Sequence, residues 1–346
     1  MSIGVGLVGY GLSGAVFHAP LIEKVEGLKL VSVVSSRPNI VNRDYPAVSV
    51  VPNLNQLLEN EGIDLVVIAT PNDTHYDYAK QAMLKGKHVV IEKPFTITSK
   101  QAEELINLAK DQNVILSVYQ NRRWDNDFLT IRKLLDAGVL GDIATYEAHY
   151  DRYRPQVRER WREQEGEGSG TLYDLGSHLI DQTLVLFGPP KTVFANLEAQ
   201  RIGAKTIDYF HLVLDYGKMK AILHSGSLVK QQGPRFQIHG EKGSFIKYGL
   251  DPQEDQLKQG KRPGDHGYGE DQKDQYGELT YSVGELTINS KVETLSGTYH
   301  AFYEGIVEAI VSGKTPPVLP EEAYNVIKVI EYAIQSDREG RAIPFK

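Results

Sequence analysis

The chain has 346 residues, more than one ordinary domain holds, and its 41% hydrophobic and 24% charged residues are the composition of a globular protein. A net charge of −7 argues against a basic face for nucleic acid or a membrane surface, and no apolar run approaches the roughly 20 residues that span a bilayer. With no cysteine there are no disulfides, no thiolate nucleophile and no cysteine-held zinc or iron–sulfur centre.

The N-terminus runs almost directly into "IGVGLVGYG" without a basic n-region or cleavage site, so a first strand is expected there rather than a signal peptide, and the cytoplasm is the expected compartment. Ile3–Val8 reads as a strand, followed by a glycine turn and a helical stretch to about Val25. Leu28–Val34 is a second strand, Leu54–Asn60 a short helix, and Leu65–Thr70 a buried parallel strand. His75–Lys85 is a helix stopped by Gly86, and Val89 and Val90 continue a strand into "IEKP". Ser99–Gln112 is a helix with a serine N-cap, and Ile115–Val118 is another strand. Near-continuous apolar strands alternating with helices predict an α/β fold with a doubly wound parallel sheet.

The pattern changes near Tyr119–Arg123. Phe128–Ala137 reads as a helix ended by Gly138. The strands Ile143–Tyr150, Thr192–Gln200, Asp208–Tyr216, Lys218–Ser227, Arg235–His239 and Ser244–Tyr248 then follow with few helices between them. A large, mostly antiparallel sheet is expected. Asp251–Gly277 is polar and glycine-rich and reads as a long functional or mobile loop, and helical spacing returns at Tyr299–Ser312 and Glu321–Ser336. Two domains are expected, residues 1–121 and 122–346.

Gly9-Tyr10-Gly11-Leu12-Ser13-Gly14 is a G-x-G-x-x-G pattern between a strand and a helix. There the first glycine permits the turn, the second lets the backbone approach a pyrophosphate, and the third lets helix and strand pack closely. NAD-specific sites place a carboxylate about 20 residues on, at the end of the second strand, for the ribose 2′-OH. Here Ser35, Ser36 and Arg37 occupy that place, and an arginine with two hydroxyls suits a 2′-phosphate. NADP is the expected cofactor.

"ATPNDTH" (69–75), "EKP" (92–94) and "DLGSH" (174–178), with the glycine turn, resemble the glucose-fructose oxidoreductase / inositol dehydrogenase / MocA family over essentially the whole chain. "SVYQNRRWDNDFLTI", "RWREQEG" and "RFQIHGEKGSFIKYG" are similar to its subgroup of bacterial NADP-dependent scyllo-inositol dehydrogenases. The resemblance implies a Rossmann domain, then an α/β domain whose open sheet commonly forms a dimer or tetramer interface, with a C-terminal helix packing back near the first domain. It also assigns catalytic roles to Lys93, Asp174 and His178. The residue chemistry agrees: an imidazole accepts a hydroxyl proton near neutrality, an aspartate four residues earlier on a helix shares its face, and an ammonium stabilises alkoxide character. No third ligand accompanies Asp174 and His178 at metal spacing, so no metal is expected.

Further cofactor contacts implied by the resemblance are Thr70, Pro71, Asn72 and His75, then Glu92 and Lys93, then Gln120, Asn121 and Arg122. Trp161 and Arg162 are expected to reach the cofactor from the second domain. Arg152, Tyr153, Tyr173, Asp181 and Tyr299 are candidates for substrate hydroxyls. The expected reaction interconverts a cyclic polyol and its ketone, scyllo-inositol and scyllo-inosose first among them. An aldose or anhydro-sugar dehydrogenase is the alternative within the class. A non-catalytic dinucleotide-binding regulator is the alternative outside it, against which Lys93, Asp174 and His178 argue.

Overall fold

The computed structural model describes residues 2–346, which fall into two compact units. The first runs to Trp124 and adds Pro252–Gly269 and Thr298–Tyr324; the second comprises Asp125–Asp251, Glu270–Gly297 and Asn325–Lys346.

The first unit is built on six parallel strands: β1 (Ile3–Val8), β2 (Leu28–Val34), β3 (Ser49–Val51), β4 (Leu65–Ile68), β5 (His88–Glu92) and β6 (Leu116–Tyr119). Their order is β3-β2-β1-β4-β5-β6. Every residue of β1, β4 and β6 is buried, as expected of strands covered on both faces. The order reverses between β1 and β4, which opens a crevice beyond their carboxyl ends, the usual ligand position in such sheets. A π-helical turn at Gly14–His18 leads into α1 (Ala19–Lys24), and α2 (Pro38–Asp44), α3 (Leu54–Leu58), α4 (His75–Leu84) and α5 (Ser99–Asp111) follow. The cap of α5 is Thr98, not Ser99: the Thr98 hydroxyl accepts from Gln101 N–H, and the Gln101 side chain accepts from Thr98 N–H.

The second unit begins with α6 (Asn126–Asp136) and contains a nine-stranded mixed sheet. Its strands are β7 (Ile143–His149), β8 (Thr192–Glu198), β9 (Tyr209–Asp215), β10 (Lys220–Gly226), β11 (Phe236–Gly240), β12 (Gly243–Lys247), β13 (Gly277–Val283), β14 (Leu286–Val292) and β15 (Ile343–Pro344). The order is β14-β13-β12-β11-β7-β10-β9-β8-β15, and every neighbouring pair is antiparallel except β7 and β10. Strands β8 and β9 alternate buried and more accessible residues, so one face of the sheet is packed and the other is open. Helix α7 (Ser177–Phe187) is buried from Ser177 to Thr183.

The stretch expected as a long loop contains a helix, α8 (Gln253–Lys258), which belongs to the first unit with α9 (His300–Ser312). Tertiary contacts hold it. The Gln253 amide donates to Trp124 O (3.0 Å) and accepts from Tyr299 N–H (2.8 Å), and Arg122 Nη2 meets Glu254 Oε2 at 2.7 Å. Helix α10 (Pro320–Glu339) starts in the first unit and continues into the second.

Burial opposes the charge on Glu254, but Arg122 and Lys258 outweigh it and hold its carboxyl at about 2, below the ordinary 4.5. A carboxylate depressed in the fold stabilises above its unfolded pKa and loses that contribution as pH falls through the folded one. Thermal unfolding followed from about pH 5 down to about pH 2 is therefore expected to show a falling Tm, with a shallower slope in Glu254→Gln. At pH 7 that substitution removes the Glu254 counter-charge from the Arg122 guanidinium, which keeps the Tyr299 hydroxyl, and is expected to cost about 2–3 kcal/mol.

Candidate functional site

The glycine turn sits in the crevice of the first unit. Gly9 has φ 101°, and a Cβ there would lie 2.7 Å from Ala69 O. A Cβ on Gly14 would lie 2.1 Å from Gly9 O, so this glycine is required for the turn to pack on itself. A Cβ on Gly11 would meet nothing within 4 Å. Gly11 therefore faces open space, as expected where backbone must approach a bound pyrophosphate. Beside it lies a cavity of about 300 Å³ lined by the expected Gly9, Tyr10, Gly11, Ser35, Ser36, Arg37 and Thr70. Pro52, Asn53, Leu54 and Tyr78 also line it and carry no motif that would have marked them.

No carboxylate lines this cavity. Arg37 Nη2 donates to Tyr10 O (2.9 Å) and Arg37 N–H to Ser35 Oγ (3.0 Å), which folds the Ser-Ser-Arg turn against the glycine turn. The nearby Asp44 carboxylate accepts from the Tyr10 hydroxyl (3.0 Å) and Arg43 Nε (2.9 Å). The donor set of backbone N–H groups, two hydroxyls and a guanidinium fits the phosphates of NADP. Leu12, at the tip of the glycine turn, is exposed.

Beneath the turn, Glu92 closes β5. Its Oε1 accepts from Ser13 Oγ and from His18 Nε2 (3.0 Å), and its Oε2 accepts from Lys93 N–H (2.9 Å). The other ring nitrogen of His18 meets the Tyr303 hydroxyl at 2.6 Å. Burial pushes the Glu92 carboxyl up, but the His18 hydrogen bond, the charges of His18 and Lys93, and the Ser13 hydrogen bond together bring it down to about 2. This buried carboxylate fixes the backbone of Lys93 and the start of the helix after the glycine turn. His18, which no motif in the sequence marks, is fully buried.

Several expected contact residues have other duties. His75 is fully enclosed, with Nδ1 2.9 Å from Pro94 O and Nε2 3.0 Å from Thr70 O. Burial holds its pKa below the ordinary value against the pull of the two carbonyls, and the ring, with each nitrogen against a carbonyl oxygen, links the loops after β4 and β5. Thr70 Oγ1 lies 2.6 Å from Thr74 Oγ1, Pro71 is exposed and Asn72 is buried. Gln120, Asn121 and Arg122 are buried, and the Arg122 guanidinium is engaged by Glu254 and by the hydroxyl of Tyr299 (3.1 Å). Tyr299 has no exposed surface, and its hydroxyl accepts from Arg122.

In the second unit the expected single helix through Asp174 and His178 is divided. Asp174 lies in a π-helical turn at Leu172–Gly176, and His178 lies in the first turn of α7. The change from π to α bonding between them means that simple α-helical stacking of residues four apart does not describe the pair. Asp174 Oδ1 faces Arg162 Nε at 3.3 Å, and the Arg162 guanidinium stacks on Trp161 with 4.7 Å to the ring centroid. Trp161 and Arg162 are both exposed. Their loop is anchored by buried Arg201, which reaches Glu163 (3.1 Å) and Asp208 (2.8 Å). Among the substrate candidates, burial pushes the Tyr173 hydroxyl up to about 12 and Asp181 is 2% exposed. Arg152 lies over the Tyr150 ring, and Tyr153 is exposed.

Comparison with known proteins adds two matches to family models. Residues 3–120 match the NAD-binding Rossmann fold of the GFO_IDH_MocA oxidoreductase family, and residues 132–345 match its C-terminal alpha/beta domain. A scyllo-inositol 2-dehydrogenase (NADP(+)) of Bacillus subtilis is 50% identical over 342 residues, spanning 99% of this chain and 96% of the relative. A solved oxidoreductase structure from Bacillus subtilis superposes with a TM-score of 0.98 at 50% identity, covering 100% of this chain and 99% of the other. One from Yersinia pestis gives 0.95 at 45% identity, covering 100% and 97%.

The glycine geometry separates two substitutions. Gly11→Ala is expected to raise the Kd for NADPH at least about 10-fold, by fluorescence titration, with Tm nearly unchanged. Gly14→Ala is expected to lower Tm by several degrees, because its methyl meets backbone.

Proposed function

The chain belongs to the Gfo/Idh/MocA oxidoreductase family, and from that premise we propose that it is an NADP-dependent dehydrogenase interconverting scyllo-inositol and scyllo-inosose. The observation that carries this reading is half identity along nearly the full length to a scyllo-inositol 2-dehydrogenase (NADP(+)), joined to a cavity whose rim is Ser35-Ser36-Arg37 and holds no carboxylate. Arg37 gives the 2′-phosphate a cationic partner, and the two serine hydroxyls add donors.

Bound NADP supplies the nicotinamide that takes the hydride in oxidation and returns it in reduction. In the proposed assignment His178 accepts the proton of the reacting hydroxyl, so hydride and proton leave the carbinol together and a ketone remains. Lys93 donates a hydrogen bond to the same oxygen and stabilises its developing negative charge. In this assignment Asp174 orients His178, and Arg162 at 3.3 Å fixes that carboxylate. Reduction runs the same steps backwards. Glu92, His18 and Ser13 hold the Lys93 backbone in place. Dimers or tetramers in the cytoplasm complete the reading.

A panel of inositols, inososes, aldoses and anhydro sugars with each nicotinamide cofactor, followed at the reduced-nicotinamide absorbance band, tests the assignment. The highest kcat/KM is expected for scyllo-inositol or scyllo-inosose with the NADP couple; preference for an aldose or for NAD would overturn it. Arg37→Ala is expected to reduce the NADP-over-NAD preference by about 10- to 100-fold, the worth of one charge-assisted contact. His178→Ala is expected to lower kcat by about 10²- to 10⁴-fold with NADPH binding intact, and wild-type turnover in that variant would remove His178 as the base.

A further inference from the structure

Away from these residues, the open face of the nine-stranded sheet carries a cluster that the redox chemistry does not use. His149 on β7 and His224 on β10 are direct partners in the one parallel pair of that sheet. Asp151 follows His149 by two residues, the spacing that returns a side chain to the same face of an extended chain. His149 Nδ1 lies 3.2 Å from Asp151 Oδ2, and His224 Nε2 lies 3.5 Å from Asp151 Oδ1. One ligand atom from each of the three lies within 4.8 Å of the others. The Asp151 carboxylate is oriented by Gly226 N–H, which donates to Oδ1 at 2.9 Å. His211 on β9, the partner of His224 across the next strand pair, stands 5.7 Å from it between ring centroids.

These separations are long for charge-assisted hydrogen bonds, which fall near about 2.7–2.9 Å. They run to the two different oxygens of Asp151, so both imidazoles converge on one carboxylate, a donor set that zinc-class ions take. The ligands stand on paired strands rather than on a loop, so their spacing is set by the sheet. Within a single chain the side chains are partly exposed, at 24% for His149, 18% for His224 and 9% for Asp151, on the sheet face that the family resemblance gives to the oligomer interface.

We propose that His149, Asp151 and His224 form a binding site for one divalent cation of the zinc class. Two imidazoles and one carboxylate select borderline first-row ions over calcium or magnesium, which take oxygen shells. The ion ties β7, the chain leaving it at Asp151 and β10 together, and takes no part in hydride transfer. Glu147, whose Oε2 lies 3.6 Å from His149 Nε2, is the nearest further acidic group.

The test uses tag-free, full-length protein stripped with chelator and dialysed. Titration with cobalt(II) chloride is expected to give one ion per chain, with the intense visible absorption of tetrahedral cobalt, and zinc chloride is expected to displace it and raise Tm. His224→Ala and Asp151→Asn are expected to weaken cobalt binding by at least about 100-fold and to abolish the Tm response. His266→Ala, at an exposed histidine elsewhere, is expected to change neither. Should His224→Ala fail to fold, His149→Gln with an unchanged circular dichroism spectrum decides in its place. Absence of stoichiometric binding, an octahedral cobalt spectrum, or binding retained in the folded cluster variants would overturn the proposal.

Discussion

A carboxylate buried at the end of a strand ties three separate stretches of this protein together. Glu92 cannot remain charged in the interior without partners, because an ionised group taken out of water is strongly penalised unless hydrogen bonds replace its hydration. Here the partners come from three places: the glycine turn through Ser13, the helical turn after it through His18, and the chain's own next peptide at Lys93. Satisfying one charge thus fixes the glycine turn relative to the strand end that carries the proposed catalytic lysine. Tyr303 extends the arrangement into α9, so a helix near the end of the chain helps to define a site made mostly by its beginning.

The parts of the fold legible in the sequence are those whose cause is local. Strands β1 and β4 read directly because each is a continuous apolar run buried on both faces, and β8 and β9 read because burial alternates along them. The hairpin of β13 and β14 did not, although apolar and polar residues alternate along both strands, because it is short, largely exposed and follows directly on a polar, glycine-rich stretch. Helix α8 did not either: Trp124, Tyr299 and Arg122 hold it from far along the chain, and a polar six-residue segment gives little intrinsic sign of them.

The site divides along the same line. The glycines and the Ser-Ser-Arg turn stand at a fixed offset from strand ends, and the structure brings them to one cavity. His75 and Arg122 resembled contact residues in sequence, yet each is turned inward to protein partners. A histidine or arginine beside a ligand loop looks the same in one dimension whether it touches the ligand or braces the loop. The histidines of the open sheet face were silent for a related reason, since their proximity arises from pairing β7 with β10.

The excursion of Pro252–Gly269 into the first unit has an implication for how this protein can be divided. A gene fragment stopping at Trp124 would contain all six parallel strands and every glycine of the turn, yet it would lack Gln253, Glu254, Tyr299 and Tyr303. The Arg122 guanidinium would lose its counter-charge and His18 its hydroxyl partner, while the apolar surface under α9 would be laid open to water. The nucleotide-binding half is therefore continuous in space but not in the gene, and a soluble cofactor module is better sought by joining the three segments with short linkers than by truncation.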